Sequence, residues 1–304
     1  MRVSGMKLAA VTRGARVLFG FTMFVGMGFA HAGDADANAA ASLRAKYAAL
    51  LNQLSRNAFQ RPLYLDSSEN SGEVAGDAFA LVNYPFAAVG AALTGPGNWC
   101  DILLLHLNTK YCRASSDSRG AVLNVSLGKK FDQPLDDAYR VDFSYRVAAS
   151  TPDYLQVKLA ADEGPFSTRN VYLMVEIVPV ASGQTFVHLS YSYAYGMVGR
   201  LAMQGYLATI GRGKVGFTVI ENKSGSQPLY IGGMRGVVER NTMRYFLAVE
   251  SFLGALSVPP QARVDKRFRD WFAATERYPR QLHELEQNEY LAMKRREYAR
   301  QQAN

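Results

Sequence analysis

Four patterns in this chain have residue types that could do chemistry, and each also has a plainer use. Gly211–Gly216 reads GRGKVG and matches G-x-G-x-x-G. That spacing holds a pyrophosphate only between a strand and a helix, where backbone amides and the helix N-terminus converge. Here a helix-like stretch precedes it and the strand-like VGFTVI follows. It reads as a glycine turn with two exposed cations, and no cofactor is implied. The histidines are His31, His106, His188 and His283, and none pairs at a metal-ligand spacing. His188 lies among serines on the polar face of a strand, as a hydrogen-bonded side chain or a general base. A Ser–His–acid set is spatial and stays open, but no G-x-S-x-G elbow is present. No catalytic residue and no metal ligand is assigned.

Arg235, Glu239, Arg240 and Arg244 share one helical stretch. Arg235 and Glu239 are i,i+4 neighbours, the usual spacing of a solvated pair. An arginine turned inward would hold a carboxylate or phosphate head group. The tyrosines point most directly to a site. Tyr139, Tyr145, Tyr191, Tyr193 and Tyr245 all fall on faces read as inward. Buried hydroxyls need partners, so these suit either a wet or ligand-filled cavity or the edge of a core.

The element that must position them is Gly233–Leu256. Val238, Tyr245, Val249, Phe252 and Leu256 form an apolar stripe at helical spacing. Gly232-Gly233 precedes this helix and Pro259-Pro260 ends it. Upstream, Tyr139–Val147 alternates strictly, as a half-buried antiparallel strand does. Strands are also expected at Val74–Tyr84, Ala121–Leu127, Tyr154–Ala161, Val171–Val178 and Thr185–Tyr195. Their short connections exclude parallel crossovers, so the sheet meanders. Pro85 opens a short helix ended by Gly95-Pro96-Gly97. Residues 33–41 read as flexible, 42–57 as a helix with Leu43, Tyr47, Leu50, Leu51 and Leu54 on one face, and 58–73 as a loop. Residues 197–212 read as a glycine-weakened helix, and Asn222–Gln227 as the turn of an added hairpin. Gln281–Gln302 has a thin apolar face and mixed charge, so it is expected to be dispensable for the fold.

The chain has 304 residues and a formal charge of +8. Arg2, Lys7, Arg13 and Arg16 lie in the first 32 residues, which hold no acid, so the remainder carries +4. That is mild and gives no case for nucleic acid. Residues 1–32 have the form of a signal peptide, a basic start, an apolar core and Ala30-His31-Ala32 as an A-x-A cleavage site. Cleavage after Ala32 would place the protein in the periplasm or outside the cell. Cys100 and Cys112 are the only cysteines. In an exported chain they most simply form a disulfide, with a metal pair or thiol couple as the competing readings. Bridged Cα atoms lie within ~7 Å, so the chain must double back, as a helix over WCDILLLHL returning as a strand through TKYC.

The order of these elements resembles the START-like helix-grip superfamily, which includes the birch-pollen-allergen and polyketide-cyclase-like proteins. The resemblance covers about residues 74–256 and rests on Ala80–Ala92 with Pro85, Gly95–Trp99 and Gly233–Leu256. It implies an α+β fold, a curved antiparallel sheet gripping a long C-terminal helix. The chain would divide into a signal peptide at 1–32, a helix and linker at 33–73, the helix-grip domain at 74–256 and charged helices at 257–304. The family's ligands are lipids, sterols and other apolar small molecules held between sheet and helix. With the leader, the resemblance makes the chain an expected exported binder of such a molecule, with no chemistry of its own. The expected lining is Phe143, Tyr145, Leu189, Tyr191, Tyr193, Tyr245, Val249 and Phe252. The alternatives are a cyclase- or hydrolase-like enzyme on the same fold and an envelope interaction protein with a filled core. The Lys294-Arg295-Arg296 cluster would allow transient contact with an anionic membrane surface. Oligomeric state is left open.

Overall fold

Eight strands form one antiparallel sheet in a computed structural model that describes residues 32–118, 120–208, 213–221 and 227–303. The expected signal peptide, the first two residues of GRGKVG and nearly all of the Asn222–Gln227 turn lie outside the described residues.

The chain enters as a helix, α1 (Ala32–Ser55), and then a hairpin of β1 (Leu63–Asn70) and β2 (Glu73–Val82). Ser71 and Gly72 join these strands with φ of 39° and 91°, the positive values of a two-residue primed turn. Two short helices follow, α2 (Phe86–Leu93) and α3 (Pro96–Leu104). They carry the chain to the far edge of the sheet. There β3 (Thr109–Asp117), β4 (Gly120–Leu127), β5 (Tyr139–Thr151), β6 (Tyr154–Gly164), β7 (Thr168–Pro179) and β8 (Thr185–Tyr195) meander back. The strand order is β1-β2-β8-β7-β6-β5-β4-β3, so β8 closes on β2. The expected meander is present. The 58–73 stretch, expected as a loop, is largely β1. Only Leu63, Leu65 and Ser67 of β1 are buried, which left too little alternation to read.

Next come α4 (Met197–Ala208) and a two-stranded ribbon, β9 (Val219–Glu221) and β10 (Leu229–Tyr230). The long helix α5 (Gly233–Gly254) then lies across β1, β2, β8 and α3. Gly76 of β2 permits the approach, since a Cβ there would collide with the Thr242 side chain. Val238, Phe246, Val249 and Phe252 of α5 join one large core with the inner face of the sheet. Sixteen of the 22 residues of α5 are buried, Glu239, Arg240 and Arg244 among them.

Two expectations about the ends are corrected. Residues 33–41, expected to be flexible, belong to α1. Ala40, Leu43, Leu50 and Leu54 of that helix cover Phe79, Tyr154, Val178 and Phe186 on the outer face of the sheet. Leu51, assigned to the same apolar face, is exposed. The tail is integral rather than a dispensable charged appendage. It comprises α6 (Pro260–Glu276), α7 (Pro279–Leu282) and α8 (Gln287–Ala303). Trp271 stacks on Tyr290 at 5.0 Å, and Tyr290, Met293 and Lys294 are at most 1% exposed. Lys294 donates to the carbonyls of His106 and Thr109 and to Glu297, while Lys110 reaches the other Glu297 oxygen. The apolar face of α8 looks thin because two of its buried residues are charged.

Candidate functional site

The gap between sheet and α5 is where the fold would hold a guest. Alternation sets Phe143, Tyr145, Leu189 and Tyr193 on the inner face, where all four are buried. Tyr139 is 43% exposed instead, because it opens its strand at the sheet margin. Tyr191 lies 5.6 Å from Tyr193 and 5.1 Å from Tyr245. Phe143, Tyr191 and Tyr245 line a cavity with Leu103, Val125 and Leu173. The space open there to the centre of a water molecule is about 20 Å³, room for a single water. The other expected lining residues are engaged elsewhere. Leu189 and Val249 are wholly packed. Phe252 meets the Arg267 guanidinium 4.0 Å from its ring centre, and Arg267 pairs with Asp101 at 2.7 Å. Tyr145 donates to the Leu93 carbonyl at 3.2 Å. Burial pushes the Tyr145 and Tyr245 hydroxyls up to about 12, so both stay protonated donors.

The charges of α5 are turned inward but are met by protein groups. Arg235 and Glu239 do not act as the expected solvated pair. Glu239 accepts from the Ser67 and Thr218 hydroxyls, both at 2.6 Å, and from the Phe217 and Thr218 amides. Arg235 donates to the same Ser67 hydroxyl. Arg244 pairs with Glu284 at 2.8 Å, and Lys130 and Lys214 approach the same carboxylate. Burial alone would raise Glu284, but these three cations outweigh it and hold it below the usual carboxylate value. His106 stacks on Tyr245 at 4.8 Å. Burial, then Arg244, Lys294 and Lys130, push its pKa well down, so it is neutral.

A second opening lies on the opposite face, between α1 and the sheet. It measures about 450 Å³ and is lined by Lys46, Asp77, Phe79, Tyr154, Gln156, Glu176 and His188 among others. His188 sits opposite Phe79 of β2 and Glu176 of β7. Its Nδ1 is 2.8 Å from Glu176 Oε1 and its Nε2 is 2.8 Å from Asp77 Oδ1. Its ring lies on Phe79 at 4.3 Å and 10°. Tyr154 donates to Glu176 at 2.6 Å, and Gln156 donates to the same oxygen. Burial opposes charging of His188, but bonds to Asp77 and Glu176 prevail and raise its pKa. Burial likewise opposes ionisation of Glu176, but His188 and Tyr154 prevail and lower it. The result is a ring held between two carboxylates, with both nitrogens engaged and its charged form favoured. Of this set, the sequence singled out only His188. Asp77 and Glu176 lie on separate strands, and only the β2-β8-β7 order joins them to it.

Of the Lys294-Arg295-Arg296 cluster, one cation is buried and two stay exposed while pairing with neighbouring acids. Lys294 is buried, Arg295 pairs with Asp265, and Arg296 pairs with Asp132 at 2.8 Å. Cys100 and Cys112 are joined, with Cα atoms 5.1 Å apart. Helix α3 runs into this bridge and β3 returns, as the spacing required. No helix among the described residues is long and apolar enough to cross a membrane.

No family model matches the chain, and no curated protein matches it. Solved structures similar to it include human StAR-related lipid transfer protein 5, at 9% identity and TM-score 0.32, covering 57% of this chain and 89% of that one. Truncated norcoclaurine synthase from Thalictrum flavum matches at 9% and 0.32, over 49% and 88%. A conserved protein from Geobacillus kaustophilus matches at 15% and 0.29, over 45% and 86%. At these scores the likeness carries no inference about what this chain binds. The curved antiparallel sheet and the long helix laid across it are this chain's own helix-grip geometry.

Proposed function

We propose that this is an exported helix-grip protein of the cell envelope that works through its outer surfaces, without catalysis and without enclosing a lipid. The observation that carries this reading is that the cavity lined by Phe143, Tyr191 and Tyr245 leaves only about 20 Å³. Small-molecule sites occupy ~300–1,000 Å³. Export is supported by the leader pattern of residues 1–32 and by the Cys100–Cys112 bridge, since disulfides persist in oxidising compartments. Native mass spectrometry of protein taken from an envelope fraction is the test. The expected mass begins at Gly33, is lighter by the two bridge protons and includes no co-purified lipid. A fluorescent fatty-acid or sterol probe should not bind saturably. Leu189→Trp should destabilise the fold by ~1–3 kcal/mol through overpacking. Saturable probe binding that Leu189→Trp abolishes without loss of stability would restore the carrier reading.

A second reading is favoured by the outer cleft, whose 450 Å³ is the size of a small-molecule site. Its charges include the Lys46 ammonium, 4.9 Å above the Phe79 ring, and Asp77, which already holds His188 through one oxygen. That combination suits a zwitterion such as a free amino acid. A saturable change in the His188 ring signals on adding amino acids, absent in Lys46→Met, would establish it. No saturable change with any of them would remove it.

A further inference from the structure

A histidine held by two carboxylates satisfies both only while each ring nitrogen carries a proton. His188 is held that way, with Glu176 at Nδ1 and Asp77 at Nε2, each at 2.8 Å. The two carboxylates are not equivalent. Glu176 is the deeper, its side chain 16% exposed, and its other oxygen accepts from Tyr154 and Gln156. Asp77 is 31% exposed along its side chain and has no donor besides His188 among the described residues. It lines the 450 Å³ opening between α1 and the sheet. When the ring becomes neutral, one N–H is left for two acceptors. That N–H serves Glu176 better, because an unmet acceptor costs more where water is scarcer. Asp77 is then the carboxylate left short of both a donor and a positive charge.

The groups that face the ring come from four elements. Asp77 lies on β2 and Glu176 on β7. Tyr154 of β6 and Tyr172 of β7 stay protonated, because burial and then Glu176 raise both phenols. From α1, Asp36 acts on Tyr154, and Lys46 stands over Phe79 with no ion pair among the described residues. The ring itself stacks on Phe79. The protein therefore presents one cation in want of an anion and one carboxylate whose partner depends on pH. An ammonium group would give Asp77 a donor and a charge, and the carboxylate of the same molecule would meet Lys46. While His188 is charged, that ammonium and the imidazolium would crowd one carboxylate as like charges.

We propose that a zwitterion bearing an ammonium group binds in the outer cleft in exchange for the His188 proton, with Asp77 as the group the two compete for. This rests on the reading of that cleft as a zwitterion site and adds its regulation. Linkage is reciprocal. The ligand must lower the His188 pKa by the factor by which deprotonation tightens binding. The full chain, carrying isotope-labelled histidine, is titrated by nuclear magnetic resonance between pH ~6 and ~9, alone and with each of the free amino acids as probe. The His188 midpoint is expected to fall in the presence of a bound amino acid. The affinity is expected to be about five- to ten-fold higher at the alkaline end, and the two changes should agree. Asp77→Asn should lose most of the alkaline affinity. His188→Asn should bind with no pH dependence, which separates the ring from titration of Lys46 or of the probe's own amine. Equal affinity at both ends, affinity that falls as pH rises because Lys46 closes on Asp77, or a pH dependence that survives His188→Asn would overturn the linkage and leave the zwitterion reading standing. No saturable response to any amino acid at any pH overturns both.

Discussion

His188 lies within 2.8 Å of a carboxylate at each ring nitrogen, and that decides its role. A general base must turn a free lone pair towards substrate, and both nitrogens of this ring are taken up by carboxylates. It fastens β2, β8 and β7 instead. Its raised pKa means that its stabilisation is complete below the ordinary imidazole value and is lost as pH rises through the folded value. Glu176 is held low, so its contribution is present above the ordinary carboxylate value and is lost as pH falls through the folded one. Between those ranges both act. His188→Asn is therefore expected to lower the melting temperature by several degrees near pH ~6 and by clearly less near pH ~9. Equal losses would mean that stacking on Phe79, not charge, is what the ring supplies. A second buried set is Lys110, Lys294 and Glu297, where burial lowers Lys294 to about 8. Glu297→Gln strands two buried ammonium groups without a counter-charge and should cost ~3–5 kcal/mol. Lys294→Met leaves the matched Lys110–Glu297 pair and should cost clearly less. Urea denaturation would rank them, and the reverse order would refute this account of the triad.

Helix α8 is the element whose importance sequence reasoning underestimated. Its buried positions are Tyr290, Leu291, Met293, Lys294 and Glu297, and an apolar count passes over the last two. Tyr290 stacks on Trp271 and donates to the Leu105 carbonyl at 3.0 Å. Tyr290→Ala is expected to cost ~3–5 kcal/mol, the usual range for a large buried aromatic. A chain ending before Gln287 should fail to reach native stability. A truncated chain that melts like the full one would return α8 to the role of a separable tail. By contrast, α5 and the meander from β4 to β8 could be read directly. Their apolar residues recur at 3.6 or 2 positions, because each element lays an apolar face on the shared core. Strand β1 could not, since its outer half is DSSEN and it depends on β2 for its place. The tyrosine faces were read for Tyr145, Tyr191 and Tyr193, yet no pattern reports the volume left between facing elements. That volume depends on side chains from α3, α5 and six strands meeting in one place.

The parts that close the molecule are far apart in the chain. Strand β2 waits for β8, and the α3–β3 turn is fastened at both ends of the sequence. Cys100–Cys112 ties α3 to β3 from within. From the last helix, Lys294 caps the His106 and Thr109 carbonyls at 2.7 and 3.0 Å, and Lys110 caps Leu107 at 3.0 Å. Two fasteners on one turn cannot act independently. With the bridge intact, the turn is already restrained when α8 docks, and Lys294 meets carbonyls fixed in place. Without it, the lysine must order the turn as well as bind it. Replacing both cysteines by alanine should cost ~3 kcal/mol on the chain-entropy account. Combined with Lys294→Met, the loss should depart from the sum of the separate losses by ~0.5–3 kcal/mol, the range for residues that share partners. The same cycle run with His188→Asn, on the opposite face of the sheet, should be additive within ~0.5 kcal/mol. Additivity in both cycles would mean that bridge and tail stabilise separate regions. Coupling in the first alone would establish that the C-terminal helix completes the domain at the disulfide turn.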